Sequence, residues 1–193
     1  MNGHVGATPA FPGILSYCAR GAKRKILWAI LLFLISFAFW PVETLVIRSP
    51  EATSPIFRAA SPLGLDFWTI YIHSVERTPV LDRYRIANNR VWPWQTRIRS
   101  QNAGLPTHAP RFGRAYMTPC WLVIEGGRQA WPEIFLRVGN ADLGRNAFHY
   151  GSSRNVPWVS LYDRHPGQRL HFGIERLPLL AAWADKNFTA QPK

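Results

Sequence analysis

The stretch FWTIYIHSVERTPVLDRYRI, residues 67–86, contains two runs rich in aromatic and β-branched side chains, at residues 67–73 and 80–86. Residues of these types favour extended strands. Similar runs lie on either side, and the whole chain therefore predicts nine short strands. The seven others are at residues 44–48, 56–60, 91–99, 121–125, 134–138, 156–162 and 169–175.

Many of these runs are separated by residue pairs that suit tight turns, because glycine and asparagine tolerate a positive φ. Short strands with regular turns predict an all-β sandwich or a barrel-like domain. We expect one short helix after the strands, at residues 179–186. Pro93 inside a strand run predicts an edge position or a bulge. The turn pairs are Asn88-Asn89, Gly126-Gly127, Gly139-Asn140, Gly151-Ser152 and Pro166-Gly167.

The N-terminal part contains an apolar run from residue 26 to residue 40 that only Ser36 interrupts. The basic residues 23–25 stand directly before this run. This order is typical of a membrane-spanning helix that begins on the cytoplasmic side. The sequence therefore predicts a transmembrane anchor at residues 26–42. A secretory signal that is cleaved after Ala38 is the alternative.

The predicted anchor divides the chain into three parts. Residues 1–25 contain glycine and proline without an apolar period, and we expect them to form a mostly disordered cytoplasmic tail. Residues 43–193 are long enough for one domain with its own core. We therefore expect a single-pass protein of the inner (cytoplasmic) membrane, with its C-terminal domain in the periplasm.

The formal net charge of +12 is carried mainly by arginines that are scattered through the predicted strands. Scattered arginines are typical of a solvated face. The functional alternatives are contacts with anionic lipid headgroups, with an acidic partner surface or with an anionic solute. Because the domain is expected outside the cytoplasm, nucleic acid is not an expected partner.

The two cysteines, Cys18 and Cys120, would lie on opposite sides of the membrane, so no internal disulfide is expected. Neither belongs to a closely spaced cysteine pair of the kind that binds structural zinc. The sequence therefore predicts no metal site and no cofactor.

Three potentially reactive side chains lie at residues 73–76, namely His73, Ser74 and Glu76. On a regular strand His73 would point away from Ser74 and Glu76. No G-x-S-x-G motif surrounds any serine, so we expect no catalytic residues and no enzyme. These three residues and Arg77 are predicted to bind a partner or a ligand. The structural alternative is a histidine bonded within the sheet and a glutamate paired with an arginine.

A second group of polar residues lies between Thr96 and Pro106. Strand alternation places Arg97 and Arg99 on one face. The chain then enters a turn with Asn102 and Gly104, whose backbone amides could face a ligand. The next loop, to residue 116, carries His108, Arg111 and Arg114 and suggests a basic rim.

Together the two segments resemble a small bacterial family of unknown function that is encoded beside TRAP solute transporters of the TAXI type. The resemblance rests on residues 71–80, Asp82, Tyr84, Thr96-Arg97 and residues 103–106. Gln95 departs from the glutamate that is common before the Thr-Arg pair, and Gln101-Asn102 replaces a Phe-Gly pair. The resemblance implies an anchored periplasmic module linked to uptake of small, often carboxylate-bearing solutes.

We therefore expect a membrane-anchored accessory protein of such a transporter that acts by binding a partner protein, either a transporter subunit or its solute-binding protein. The expected contact surface consists of His73, Glu76, Arg97 and the turn at residues 102–106. One alternative is direct binding of a small anionic solute by Arg97 and Arg99. A second is an envelope hydrolase that uses Ser74 or another exposed serine.

Overall fold

A computed structural model describes residues 14–100, 104–106, 108–151 and 157–184. The chain divides into two compact units between Trp40 and Pro41. The described part of the first unit is mainly one helix, and that of the second is mainly β-structure.

The first unit contains helix α1, Ile14–Ala38. Helix α1 begins at Ile14, within the residues 1–25 that the sequence predicts to be a mostly disordered tail, and residues 1–13 lie outside the described part. Alanine, arginine and lysine are good helix formers, and they extend the helix before the apolar run begins. Many apolar side chains from Ile26 onward are exposed on α1.

The predicted membrane segment, residues 26–42, also differs from the structure at its end. Helix α1 stops at Ala38, and Pro41 and Val42 already belong to the first strand. Proline cannot continue a helix because it lacks a backbone N–H and its ring clashes with the preceding turn. Among the residues that the structure describes, no helix combines the length and the apolar character needed to cross a membrane.

The described part of the second unit contains eleven strands and a final helix. The strands form two antiparallel sheets with the orders β2-β1-β11-β8 and β10-β9-β3-β4-β5-β7-β6. Their bounds are β1 Pro41–Arg48, β2 Phe57–Ala60, β3 Leu65–Ile72, β4 Pro79–Ala87, β5 Arg90–Ile98, β6 Gly113–Met117, β7 Leu122–Gly126, β8 Glu133–Arg137, β9 Gly144–Tyr150, β10 Val159–Ser160 and β11 Arg169–Pro178, followed by α2, Leu179–Ala184.

The two sheets pack face to face around a core of aromatic and aliphatic side chains. Phe67 of β3 stacks on Tyr84 of β4 at a ring-centroid distance of 4.9 Å and on Phe172 of β11 at 5.7 Å. Phe148 of β9 packs edge-on against Phe57 of β2, with centroids 5.1 Å apart. Residues of both sheets meet in these contacts, so the predicted all-β sandwich is confirmed.

The β4–β5 hairpin agrees with the predicted turn. Asn88 and Asn89 both have a positive φ, 55° and 56°, as a two-residue turn of this kind requires. In the same hairpin Tyr84 pairs with Pro93 and Arg83 pairs with Gln95, which leaves Trp94 without a partner on β4. Pro93 therefore lies beside a bulge in an interior strand, and the bulge alternative is the correct one.

Two strands were not predicted, and one predicted strand is shorter than expected. Strands β6 and β9 begin with residues that do not favour strands, and the aromatic residues that do favour them follow only near the end of each strand. Pairing with their neighbours therefore contributes to their extended conformation. Of the run predicted at residues 156–162, only β10 is a strand, and residue 156 lies outside the described part. The N–H groups of Leu161 and Tyr162 both donate to the carbonyl of Asn146, which ends the ladder.

The core predicts a large difference between two chemically identical substitutions. Leu45 is fully buried and Leu63 is 94% exposed. Leu45→Ala should lower the free energy of unfolding by ~2–5 kcal/mol, whereas Leu63→Ala should change it by less than about 0.5 kcal/mol. Urea denaturation of the purified full-length protein measures both values. Equal losses would contradict the assignment of Leu45 to the core.

Candidate functional site

The first polar motif lies in the loop that joins β3 to β4, not in a strand. The backbone N–H of His73 donates to the carbonyl of Thr78, and the backbone N–H of Arg77 donates to the carbonyl of His73, both at 2.9 Å. The N–H of Glu76 donates to Nδ1 of His73 at 3.3 Å. Arg77 has a φ of 53°. The expected alternation of His73, Ser74 and Glu76 along a strand is therefore wrong, because the chain leaves the sheet after Ile72.

The loop is joined to the end of β5 by a side-chain hydrogen bond. The hydroxyl of Ser100 donates to the carboxylate of Glu76. The expected pairing of Glu76 with an arginine is therefore not observed among the described residues. Arg77 reaches a third segment, where its guanidinium donates to the carbonyl of Asp142 at 3.1 Å. The structure thus brings the first motif and Ser100 of the second motif to one edge of the seven-stranded sheet, where β3 and β5 end and β4 begins.

Arg97 is on the outer face of this sheet and is held in place by two neighbours. Its Nε donates to Oε1 of Gln95 at 2.8 Å, and its guanidinium lies 5.5 Å from the ring centroid of Trp68. Arg83 lies over the same ring at 5.2 Å. Because both cations stack on one indole, the outer face of β3–β5 presents a basic and aromatic surface.

The other predicted binding residues occupy different positions. Arg99 is exposed just beyond β5, with its guanidinium 4.9 Å from the ring centroid of Trp121. Ser74 is exposed at the tip of the loop and has no hydrogen bond to a described histidine. Gly104 is exposed with a φ of 74°. Asn102 lies outside the described residues.

In the described part no group of three or more histidine, cysteine, aspartate or glutamate side chains is arranged to hold a metal.

A polar cluster on the inner face of the same sheet was not predicted. Asp82 of β4 is directly opposite Thr69 of β3 and Thr96 of β5. The hydroxyl of Thr96 donates to Oδ1 of Asp82 at 2.7 Å. Burial raises the pKa of Asp82 to about 6, and the Thr96 hydrogen bond opposes part of that rise. Val80, Asp82, Tyr84 and Ile86 occupy every second position of β4 and therefore share one face. This pattern is the sequence signal for an Asp82 side chain on the inner face of the sheet.

Two tyrosines share the surroundings of this carboxyl group. Burial, and then the charge of Asp82, raise the pKa of Tyr71 to about 12. The same two causes, again with burial the larger, raise the pKa of Tyr84. Both phenols are therefore neutral hydrogen-bonding groups at physiological pH. The inner face therefore contains Asp82, whose pKa lies near neutral pH, beside two tyrosines whose pKa values lie well above it.

A cleft of about 470 Å³ lies beside β5 and β7 and was also not predicted. Its lining includes Trp94, Thr96, Arg111, Phe112, Glu125 and Arg128. The guanidinium groups of Arg111 and Arg128 lie 5.1 Å and 4.3 Å from the ring centroid of Phe112. The expected basic rim at residues 106–116 thus contributes to a cleft, but the cleft also needs residues from β7 and the turn after it.

Gln95 connects the outer face to this cleft. Its Oε1 accepts from Arg97, and its Nε2 donates to Oε2 of Glu125 at 2.6 Å. Nε of Arg114 donates to Oε1 of the same carboxylate at 2.6 Å. The hydrogen bond from Gln95, together with those from Arg114, holds the pKa of Glu125 below its usual range.

Residues 67–155 match the family model of a domain of unknown function, DUF1850. The match runs from Phe67 in β3 to the residues after β9, so it includes the loop, the outer face, Asp82 and the cleft. The matched segment is thus similar to a domain of unknown function, in agreement with the expected resemblance to a family of unknown function. No curated protein and no solved structure is significantly similar to the chain.

The raised pKa of Asp82 predicts a pH-dependent stability. A pKa of about 6 in the folded state, against about 3.9 in an unfolded chain, means that folding favours the protonated acid. This contribution to stability is complete below about pH 4 and is lost as the pH rises through about 6. Asp82→Asn keeps an acceptor for Thr96 but cannot ionise. Relative to wild type, it should gain on the order of 2–3 kcal/mol in the free energy of unfolding between pH 4 and pH 8.

Urea denaturation at several pH values between 4 and 8 measures this difference. Asp163→Asn, which removes one exposed carboxylate, is the matched control for the loss of a surface charge. A difference between Asp82→Asn and wild type that stays constant from pH 4 to pH 8 would contradict the raised pKa of Asp82.

Proposed function

We propose that the chain is an accessory protein of a TRAP-type solute transporter of the TAXI kind, and that its β domain acts by binding a partner protein. In this proposal the apolar segment at residues 26–42 anchors the chain in the inner membrane, and the domain is in the periplasm. The partner is a subunit of the transporter or its solute-binding protein. The resemblance of the two motifs to a family encoded beside such transporters motivates the choice of partner.

The observation that carries the proposal is the hydrogen bond between Ser100 and Glu76. It joins two segments that are 24 residues apart into one surface at the edge of the seven-stranded sheet. We call this the partner surface, and its described residues are His73, Ser74, Glu76, Arg77, Arg97, Arg99 and Gly104. A buried structural motif would not present its side chains to solvent, whereas Ser74, Arg77 and Arg99 are exposed.

The chemistry of the partner surface favours an acidic partner. Trp68 and Gln95 orient Arg97, and Trp121 lies beneath Arg99. Arginines that are already held in place lose less conformational freedom on binding, and arginine and tryptophan are enriched among residues that dominate interface energies. Carboxylates of a partner could therefore bond to these guanidinium groups at a low entropic cost.

The two alternatives have less support. Arg97 and Arg99 lie over aromatic rings, and neither lines the 470 Å³ cleft, so they do not define a pocket for a small anion. For a hydrolase, Ser74 would need a base within hydrogen-bond reach. The hydrogen bond that Nδ1 of His73 accepts comes from the backbone of Glu76, and no described histidine bonds to Ser74.

Removal of the two arginines should abolish partner binding without unfolding the domain. We expect the Arg97→Ala/Arg99→Ala double variant to lose co-purification of the transporter component from native membranes. Its free energy of unfolding should fall by about 1–3 kcal/mol, because two cation–π contacts and the hydrogen bond from Arg97 to Gln95 are lost. Arg137→Ala on β8, an exposed arginine of the other sheet, is the matched control and should keep the partner. A stable double variant that still holds the partner would contradict the proposal.

The topology is tested separately. Protease added to spheroplasts should digest the domain that begins near Pro41, because the basic residues 23–25 before the apolar run are expected to remain in the cytoplasm. The protein should be recovered in the membrane fraction before digestion. Protection of the domain in intact spheroplasts would contradict export, and a soluble fragment that begins near Phe39 would indicate a cleaved signal.

A further inference from the structure

We propose that the cleft beside Phe112 is a binding site for a small organic anion that carries a flat apolar group, such as an aromatic carboxylate. The cleft is lined by residues from β5, from the loop before β6 and from the end of β7. The lining includes Pro106, at the end of the turn at residues 102–106, but none of the seven described residues that define the partner surface. The proposal therefore goes beyond the proposed function and does not depend on it.

The charges of the cleft favour an anion. Arg111 and Arg128 are exposed, and within the described part of the chain neither forms an ion pair with a carboxylate. Glu125, the carboxylate in the lining, already accepts hydrogen bonds from Gln95 and Arg114. An anion that enters the cleft thus meets two guanidinium groups whose charge is not neutralised, and such groups form the stronger, charge-assisted hydrogen bonds.

The aromatic side chains of the cleft favour a flat apolar group on the same ligand. Trp94 is 43% exposed because the bulge in β5 removes it from the sheet pairing, and Phe112 is 61% exposed. Their rings offer apolar faces to a ligand, and rings stack favourably in offset or edge-on arrangements. A cleft of about 470 Å³ lies within the roughly 300–1,000 Å³ that is usual for small-molecule sites.

Backbone strain at Phe112 indicates that its exposure is not incidental. Phe112 has a φ of 67°, a conformation that costs a bulky residue free energy and that clusters at ligand sites. The turn around it is fixed, since the N–H of Gly113 donates to the carbonyl of Pro110 at 2.9 Å and the N–H of Gly127 donates to the carbonyl of Phe112 at 3.2 Å. A side chain at position 113 would meet the carbonyl oxygen of Glu125 at 2.5 Å. The chain therefore holds an exposed aromatic ring in contact with two arginines, in a strained turn that backbone hydrogen bonds fix.

Equilibrium dialysis of the full-length protein in detergent micelles against radiolabelled phenylacetate tests this site, with empty micelles as the blank. We expect saturable binding, because phenylacetate combines a carboxylate with a ring. Unlabelled phenylacetate should displace the label. Phenylacetamide, which has the ring without the charge, and acetate, which has the charge without the ring, should each compete at least about tenfold less well, as expected for the loss of one charge-assisted contact or of one stacked ring. Inorganic phosphate should also compete less well.

Variants locate the binding in the cleft. Arg111→Gln/Arg128→Gln should weaken phenylacetate binding at least about tenfold, whereas Arg137→Gln on β8 should leave it unchanged. The same double variant should still co-purify with the partner protein, which separates this site from the partner surface. Phe112→Gly should also lose binding, but its melting temperature should not fall, because glycine adopts a φ of 67° without strain.

Several results would overturn the proposal. Absence of saturable phenylacetate binding would do so, as would equal competition by phenylacetamide, acetate or phosphate. Unchanged binding in Arg111→Gln/Arg128→Gln would place the ligand elsewhere. A clear fall in the melting temperature of Phe112→Gly would show that the ring supports the fold and is not held ready for a ligand.

Discussion

The stacking of Phe67 on Tyr84 and Phe172 is the interaction on which the rest of the domain depends. Phe67 and Tyr84 are also direct partners across β3 and β4. Because side chains alternate along a strand, a shift of the pairing by one residue would turn every core side chain of β4 toward solvent. The same ring contacts the other sheet through Phe172, so one residue fixes both the register within a sheet and the packing between sheets. That register places Tyr71 opposite Val80 and thereby sets where the loop with His73 and Glu76 leaves the sheet.

The sequence allowed the local elements to be predicted where side-chain type and turn chemistry agree. The β4–β5 hairpin is the clearest example, because asparagine at positions 88 and 89 suits the positive φ that the turn requires. Strands β6 and β9 show the limit, since few of their residues favour strands and their extended conformation also depends on pairing with β7 or β3. The start of α1 differs for another reason, because the residues from Ile14 to Lys25 have no apolar period but include good helix formers.

The candidate sites could be predicted only in part, because most of their contacts join distant segments. Strand alternation does not hold for His73 and Ser74 because β3 ends at Ile72, and no local signal marks that point except Pro79 further on. The pairing of Glu76 with Ser100 depends on how β3, β4 and β5 lie side by side. The cleft similarly needs the turn at Phe112 to meet the end of β7.

Asp82 is the exception, since the alternation of side chains along β4 indicates an inward position. Its partner Thr96 lies directly opposite on the neighbouring strand β5.

Gln95 explains how a departure from the resembled family fits this particular chain. A glutamate at this position could accept from Arg97 but would place its carboxylate against that of Glu125, and two like charges at hydrogen-bond distance repel strongly. The neutral amide both accepts from Arg97 and donates to Glu125, so it satisfies both neighbours with one side chain. A continuous set of hydrogen bonds thus runs from Arg97 on the partner surface through Gln95 and Glu125 to Arg114 near the cleft. The partner surface and the lining of the cleft share no residue, but this set of hydrogen bonds joins them.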